Sequence, residues 1–183
     1  MKDYSNLNEL IPSLRREYES GALSEQDILS NPFEQFGCWF EDAAAAKSPG
    51  VNAMTLSTAT SKGTPSSRIV LLKGFDENGF VFFSNYQSRK GRELEVNAEA
   101  CLTFFWPALE RQVCVEGSVK KTSREESQKY FASRPRNARI AALVSEQSSI
   151  IASREDLEKK FEDVQKQYDK QDILAPEKWG GYV

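Results

Sequence analysis

Arg68-Ile69-Val70-Leu71-Leu72-Lys73 is the stretch on which the fold of this sequence turns. Four apolar residues between two cations predict a buried strand with charged ends. Side chains alternate along a strand, so Arg68 and Lys73, five apart, face opposite sides. Solvent alone accounts for a lone pair of cations at strand ends. The cations that follow are harder to place. Ser88-Arg89-Lys90 opens a predicted helix, where each cation opposes the helix dipole by roughly 0.3–1 kcal/mol. A bound anion reverses that sign, because the spare N–H groups of a helix N-terminus collect phosphate. The residues by themselves therefore point to a binder of phosphorylated small molecules.

Length and composition narrow the classes. A chain of 183 residues is one domain by length, 1–183, and large enough to bury roughly 70% of its unfolded surface. Hydrophobic residues at 39% and charged residues at 28% are those of an ordinary globular chain. A net charge of -3 argues against a general nucleic-acid footprint. No apolar run reaches spanning length and no signal-like segment opens the chain, so a cytoplasmic protein without a membrane partner is expected. Cys38, Cys101 and Cys114 form no even framework, and are expected to be reduced, buried and structural. The absence of histidine removes His-based triads and the usual zinc sites, and no metal is expected. Chemistry must come from a cofactor or from Arg, Lys, Tyr and carboxylates.

Outward from Arg68, the pattern is one of short strands. Met54, Leu56 and Thr58 alternate with Ala53, Thr55 and Ser57, a strand that stops at Lys62-Gly63. Asp76-Glu77-Asn78-Gly79 reads as a hairpin loop, with Phe80 to Asn85 returning. Ser88 caps a helix to about Val96, Cys101 to Trp106 is a strand, and Val113 and Val115 alternate with Gln112, Cys114 and Glu116. Strands in close succession favour an antiparallel barrel over a doubly wound sheet. Helices flank them. An N-terminal helical segment over about 1–50 includes Leu14 to Ser20, with Arg15, Arg16 and Tyr18, and a helix after Asn31-Pro32 with Phe33, Phe36 and Phe40 on one stripe. Ser123 opens a helix on which Tyr130 and Arg134, four apart, share a face. Ser153 caps a last long helix, and Trp179-Gly180-Gly181-Tyr182-Val183 begins a strand.

These motifs together resemble the pyridoxine (pyridoxamine) 5'-phosphate oxidase family. The matching segments are Leu14-Arg-Arg-Glu-Tyr18, Arg68 to Lys73, Ser88-Arg-Lys90, Glu110-Arg-Gln-Val113, Tyr130-Phe-Ala-Ser-Arg-Pro-Arg136, Gln147-Ser-Ser149 and Trp179-Gly-Gly181. They keep the family's order over nearly the whole chain. The resemblance implies an α+β fold, an FMN-binding antiparallel split β-barrel with flanking helices, and a homodimer with FMN at the interface. It implies oxidation of pyridoxine 5'-phosphate or pyridoxamine 5'-phosphate to pyridoxal 5'-phosphate, with O2 as acceptor and hydrogen peroxide as product. The cofactor carries the redox chemistry, so no catalytic side chain is expected.

Residue by residue, the resemblance places Arg68, Ile69, Val70, Leu71, Leu72 and Lys73, then Phe83, Ser84, Arg89, Lys90, Gln112, Gln147 and Ser148, around FMN. Phe83 stands where the family more often has Tyr. It assigns the substrate phosphate to Lys73, Tyr130 and Arg134, with Ala138 where the family often supplies a Ser hydroxyl, and sets Arg15 and Tyr18 on a segment that covers bound substrate. The family's usual C-terminal tail, which positions substrate over the flavin, is expected to be absent after Val183. The alternative expectation is accordingly a split-barrel protein that binds FMN or pyridoxal phosphate with weak or no turnover. An unrelated flavin reductase on the same barrel has no need of the Lys73/Tyr130/Arg134 clamp.

Overall fold

A computed structural model describes residues 5–15, 17, 19, 22–169 and 171–183. Its strands make two antiparallel sheets flanked by helices, an α+β architecture. The larger sheet contains β1 (Ala53–Ala59), β2 (Pro65–Leu71), β5 (Glu99–Trp106) and β6 (Arg111–Ser118) in the order β2-β1-β5-β6. The smaller contains β3 (Gly74–Asp76), β4 (Gly79–Asn85) and β7 (Trp179–Tyr182) in the order β3-β4-β7. Register sets the core: Leu56 pairs with Arg68 on one side and with Leu102 on the other, and Leu102 pairs with Val115. The apolar members of that row face inward, and the same row brings Arg68 to the inner face at the sheet's edge.

The first core lies between the sheets under α2 (Pro32–Ala45). Asn31 caps that helix by accepting the Phe33 N–H at 2.8 Å, and the aromatic stripe meets the core as its spacing predicts. Phe36 is buried, 4.9 Å from the Phe80 ring and 5.0 Å from the Phe104 ring. A second core, with Phe131, Ile140, Ile173 and Trp179, gathers α4 (Arg124–Ser133), α5 (Arg136–Val144) and α6 (Arg154–Gln167) against β7. The two glycines of β7 are steric necessities. A Cβ on Gly181 would lie 2.5 Å from Thr122 Oγ1, and one on Gly180 would overlap the Tyr86 hydroxyl.

The structure departs from four expectations. The apolar run of β2 is not buried on both faces: Ile69 is 64% and Leu71 45% exposed, because the outer face of the larger sheet is uncovered among the described residues. Residues 14, 15, 17 and 19 are not helical. The chain instead makes α1 (Ser5–Leu10) and a 3-10 turn over Ile11–Ser13, and Leu14 is exposed with no core to bury an apolar face. Arg134 does not share a helix face with Tyr130, since Pro135 forces it into extended geometry (φ -74°, ψ 146°) at the helix end. The cysteines are free but not buried: Cys38 and Cys114 are exposed and Cys101 is half-buried, on faces of α2, β6 and β5 turned from the core.

Candidate functional site

The loop after β4 and α3 (Arg89–Val96) build the first group. Ser88 closes the turn by donating to Asn85 O at 2.7 Å and accepting the Gly91 N–H at 3.3 Å. A Cβ on Gly91 would overlap the Tyr86 carbonyl, so glycine is what lets the helix start this close to β4. The result is a cleft of about 380 Å³ between β2 (Ser66, Ser67, Arg68, Ile69), the start of α3 (Arg89, Lys90) and the loop after α5 (Gln147, Ser148). Ser148 takes a left-handed conformation, φ 67°, at the turn of that loop.

Charge in the cleft is organised by Glu93, which is 5% exposed. One of its oxygens accepts from Thr58 Oγ1 (2.5 Å), Ser66 Oγ (2.6 Å) and Arg68 Nη2 (3.3 Å); the other accepts from Arg89 Nε at 2.9 Å. Burial on its own would raise this carboxyl, but the hydrogen bonds from Ser66, Thr58 and Arg89 outweigh it and hold the group at about 2. Lys90 is different. Its amine donates to Gln147 Oε1 (2.9 Å) and approaches Ser88 Oγ (3.4 Å), and among the described residues it has no ion pair. Burial first, then the Arg68 charge, push it down to about 8. Three cations thus face one carboxylate, a surplus that suits a phosphate dianion.

The second group lies on the other face of β4. Ser84 points toward the cleft, 3.3 Å from Gln147 Oε1, whereas Phe83 points away and stacks on Tyr130 (4.0 Å) and Trp179 (5.5 Å). Lys73 Nζ lies 5.8 Å from the Tyr130 ring centroid, and the Arg134 guanidinium 4.8 Å over Trp179. Arg134 Nη1 is buried without a hydrogen-bond partner, and burial lowers the Arg134 pKa. Lys73 and Arg134 therefore lie against different rings of one aromatic stack, the first near Tyr130 and the second over Trp179. Arg68 is half-buried on β2 and Lys73 is exposed two residues past the end of that strand, so strand alternation does not relate the two.

Other expected residues lie elsewhere. Val70 is half-buried and Leu72 buried under the larger sheet, while Leu71 is on its outer face. Gln112 is exposed on β6 opposite Phe105, and within this chain it does not reach the cleft. Ala138 is half-buried on α5, its N–H bonded to Pro135 O at 2.9 Å. Arg15 is exposed, and among the described residues it donates to Pro12 O at 3.1 Å. Tyr18 lies outside the described residues. Two participants escaped the sequence reading. Glu93 left one trace, its four-residue spacing from Arg89; Trp179 left none as a partner for Arg134.

A family model described as pyridoxamine 5'-phosphate oxidase matches residues 40–168. The chain belongs to this family. The pyridoxamine 5'-phosphate oxidase match includes Arg68, Lys73, Lys90, Tyr130 and Arg134, and so spans both charged groups. A pyridoxine/pyridoxamine 5'-phosphate oxidase of Trichormus variabilis is 54% identical over 175 residues, 96% of this chain and 82% of the relative. One from Paraburkholderia phytofirmans is 54% identical over 172 residues, 94% of this chain and 80% of the relative. Among solved structures, PhzG from Burkholderia lata 383, in complex with tetrahydrophenazine-1-carboxylic acid, superposes with a TM-score of 0.82 at 26% identity, over 88% of this chain and 80% of that one. A pyridoxamine 5'-phosphate oxidase-related, FMN-binding protein from Nostoc punctiforme shares the fold, with a TM-score of 0.65 at 14% identity over 85% of this chain and 81% of that one.

Proposed function

We propose that this chain uses FMN to oxidise pyridoxine 5'-phosphate or pyridoxamine 5'-phosphate to pyridoxal 5'-phosphate in the cytoplasm, where its free thiols suit a reducing compartment. The observation that carries the reading is the pair of cationic groups on opposite faces of β4. One ligand with a phosphate needs one such group; a phosphorylated cofactor and a phosphorylated substrate need two.

FMN is the cofactor, and the residues present fit it. Lys90 lacks an ionic partner among the described residues and the cleft carries a positive surplus, so a 5'-phosphate completes both Lys90 and the spare N–H groups of α3. When bound, FMN would supply a hydride acceptor for the substrate and a route for both electrons to O2, giving hydrogen peroxide; from pyridoxamine 5'-phosphate, water would release the nitrogen as ammonia. Arg68, Arg89 and Lys90 hold the cofactor phosphate, with Ser84, Gln147 and Ser148 giving polar contacts and Ile69 an apolar border. Lys73, Tyr130 and Arg134 hold the substrate phosphate. The buried, unpartnered Nη1 of Arg134 is a donor waiting for an acceptor, and it offsets the hydroxyl that Ala138 does not supply.

A homodimer belongs to the same reading. Ile69, Leu71 and Phe105 are exposed on the outer face of the larger sheet, and Gln112 shares that face. Ile69 also borders the cleft, so a second copy covering this face would reach the flavin site.

A second reading, oxidation of an unphosphorylated ring acid, is favoured by the likeness to PhzG. The Lys73/Tyr130/Arg134 group has no use for such a substrate unless its carboxylate replaces the phosphate.

The test is FMN uptake followed by oxygen-dependent turnover of pyridoxamine 5'-phosphate. FMN bound in preference to riboflavin, with equal amounts of pyridoxal 5'-phosphate and hydrogen peroxide formed, is expected. Equal affinity for the two flavins, or turnover of pyridoxamine as fast as of its phosphate, overturns the reading.

A further inference from the structure

We infer that Glu93 is the positioning residue that makes the cleft selective for a phosphorylated flavin, an inference that rests on the FMN reading above. Glu93 touches no ligand in this arrangement; it acts through the two arginines. Arg68 comes from β2 and Arg89 from α3, and two like charges converging on one cleft repel. Glu93 sits between them with one oxygen for each, Arg68 Nη2 at 3.3 Å and Arg89 Nε at 2.9 Å.

The two arginines do not depend on Glu93 equally. Arg68 has further anchors, donating to Leu56 O (3.2 Å), Thr58 Oγ1 (2.6 Å) and Ser66 Oγ (2.5 Å). The Arg89 side chain is 55% exposed, and Glu93 is the one hydrogen-bond partner it shows among the described residues. Thr58 and Ser66 also bond Glu93, so the carboxylate is itself fixed from β1 and β2 before any ligand arrives. A donor fork held in place in this way loses little freedom when it grips phosphate.

Removing Glu93 has two opposed consequences. The cleft gains positive charge, which favours any anion, but in a water-exposed cleft an extra unit charge contributes less than an oriented charge-assisted hydrogen bond. Orientation therefore wins. In Glu93→Gln the shape is kept, yet the new amide N–H group faces either the Arg68 or the Arg89 donor. FMN should bind about ten- to hundred-fold more weakly, the loss of one to two charged contacts, while riboflavin, which has no phosphate, should bind as before.

The experiment is fluorescence titration of flavin-free protein with FMN and with riboflavin, for the wild type, Glu93→Gln and Glu93→Asp. The expected result is a collapse of the FMN-over-riboflavin preference in Glu93→Gln and partial recovery in Glu93→Asp, which restores the carboxylate on a shorter stem. Parallel loss of both flavins would mean that Glu93 serves the fold alone. An unchanged or increased preference would mean that orientation is not its role. A wild type without preference removes the FMN reading itself, which separates that failure from failure of the Glu93 inference. Should Glu93→Gln not fold, Ser66→Ala, which loosens the Glu93 carboxylate without removing a cationic phosphate donor, must lower the FMN-over-riboflavin preference, and its failure to do so overturns the inference.

Discussion

The guanidinium of Arg134 lies 4.8 Å over the ring of Trp179, with Nη1 buried and unpartnered. The two residues are far apart in the sequence and meet because β7 runs antiparallel to β4 beside the end of α4, its neighbour in the second core. A buried cationic donor without an acceptor is costly. The cost is removed when an anion arrives. Trp179 sets the plane of the fork in the meantime.

Arg134→Ala should weaken binding of pyridoxal 5'-phosphate about ten- to hundred-fold, since lost charged hydrogen bonds contribute roughly 1.5–3 kcal/mol. FMN affinity should stay nearly constant, because Arg134 belongs to the group on the far face of β4. Equilibrium titration of the variant with each ligand checks this. Release of FMN with pyridoxal 5'-phosphate binding intact would show the two groups to be wrongly divided.

Lys90 gives the flavin site a pH dependence. Its amine is held at about 8 against an ordinary 10.5, so the folded, flavin-free chain binds fewer protons than the unfolded chain between those values. Stability of that chain therefore rises with pH from about 8 to 10.5, and the charged amine is a burden below that window. FMN affinity should move the other way, falling as pH passes about 8 and the amine loses its charge. Lys90→Met should stabilise flavin-free protein at pH near 7 by on the order of 1 kcal/mol, and so raise its melting temperature, and should abolish the fall in affinity. Thermal melts and FMN titrations across pH report both.

The outer face of the larger sheet should be an interface. Ile69→Glu or Phe105→Glu places a charge on exposed apolar surface, so the isolated chain should fold as before. If two copies pair through this face, sedimentation at micromolar concentration should show a dimer for the wild type and a monomer for the variants, because a charge without a partner in an interface costs several kcal/mol. Variants that remain dimeric would place the interface elsewhere.

Much of the fold is local, and local features are legible in one sequence. Period-two alternation around Met54 and Val113, the Asn78-Gly79 turn with its returning strand and the caps at Asn31, Ser88, Ser123 and Ser153 all read correctly, because each depends on residues within a few positions. The anomaly of Arg89 and Lys90 was legible for the same reason: cations at a helix start are anomalous without any knowledge of tertiary structure. What the sequence left open depends on contacts between distant segments. Whether the run Ile69 to Leu72 is covered on one face or both is decided by what packs on each face of the larger sheet, which periodicity does not report. The expected helix after Pro12 has acceptable propensity, but Leu14 is exposed, and propensity alone does not hold so short a helix. The Glu93 bridge and the Arg134–Trp179 stack needed the register of β1 on β2 and of β4 on β7 before any distance existed. Sequence determined which charges this protein carries and on which elements; tertiary structure alone decided which of them are neutralised and which are left facing a ligand, because electrostatic pairing depends on separations of a few ångströms that only packing sets.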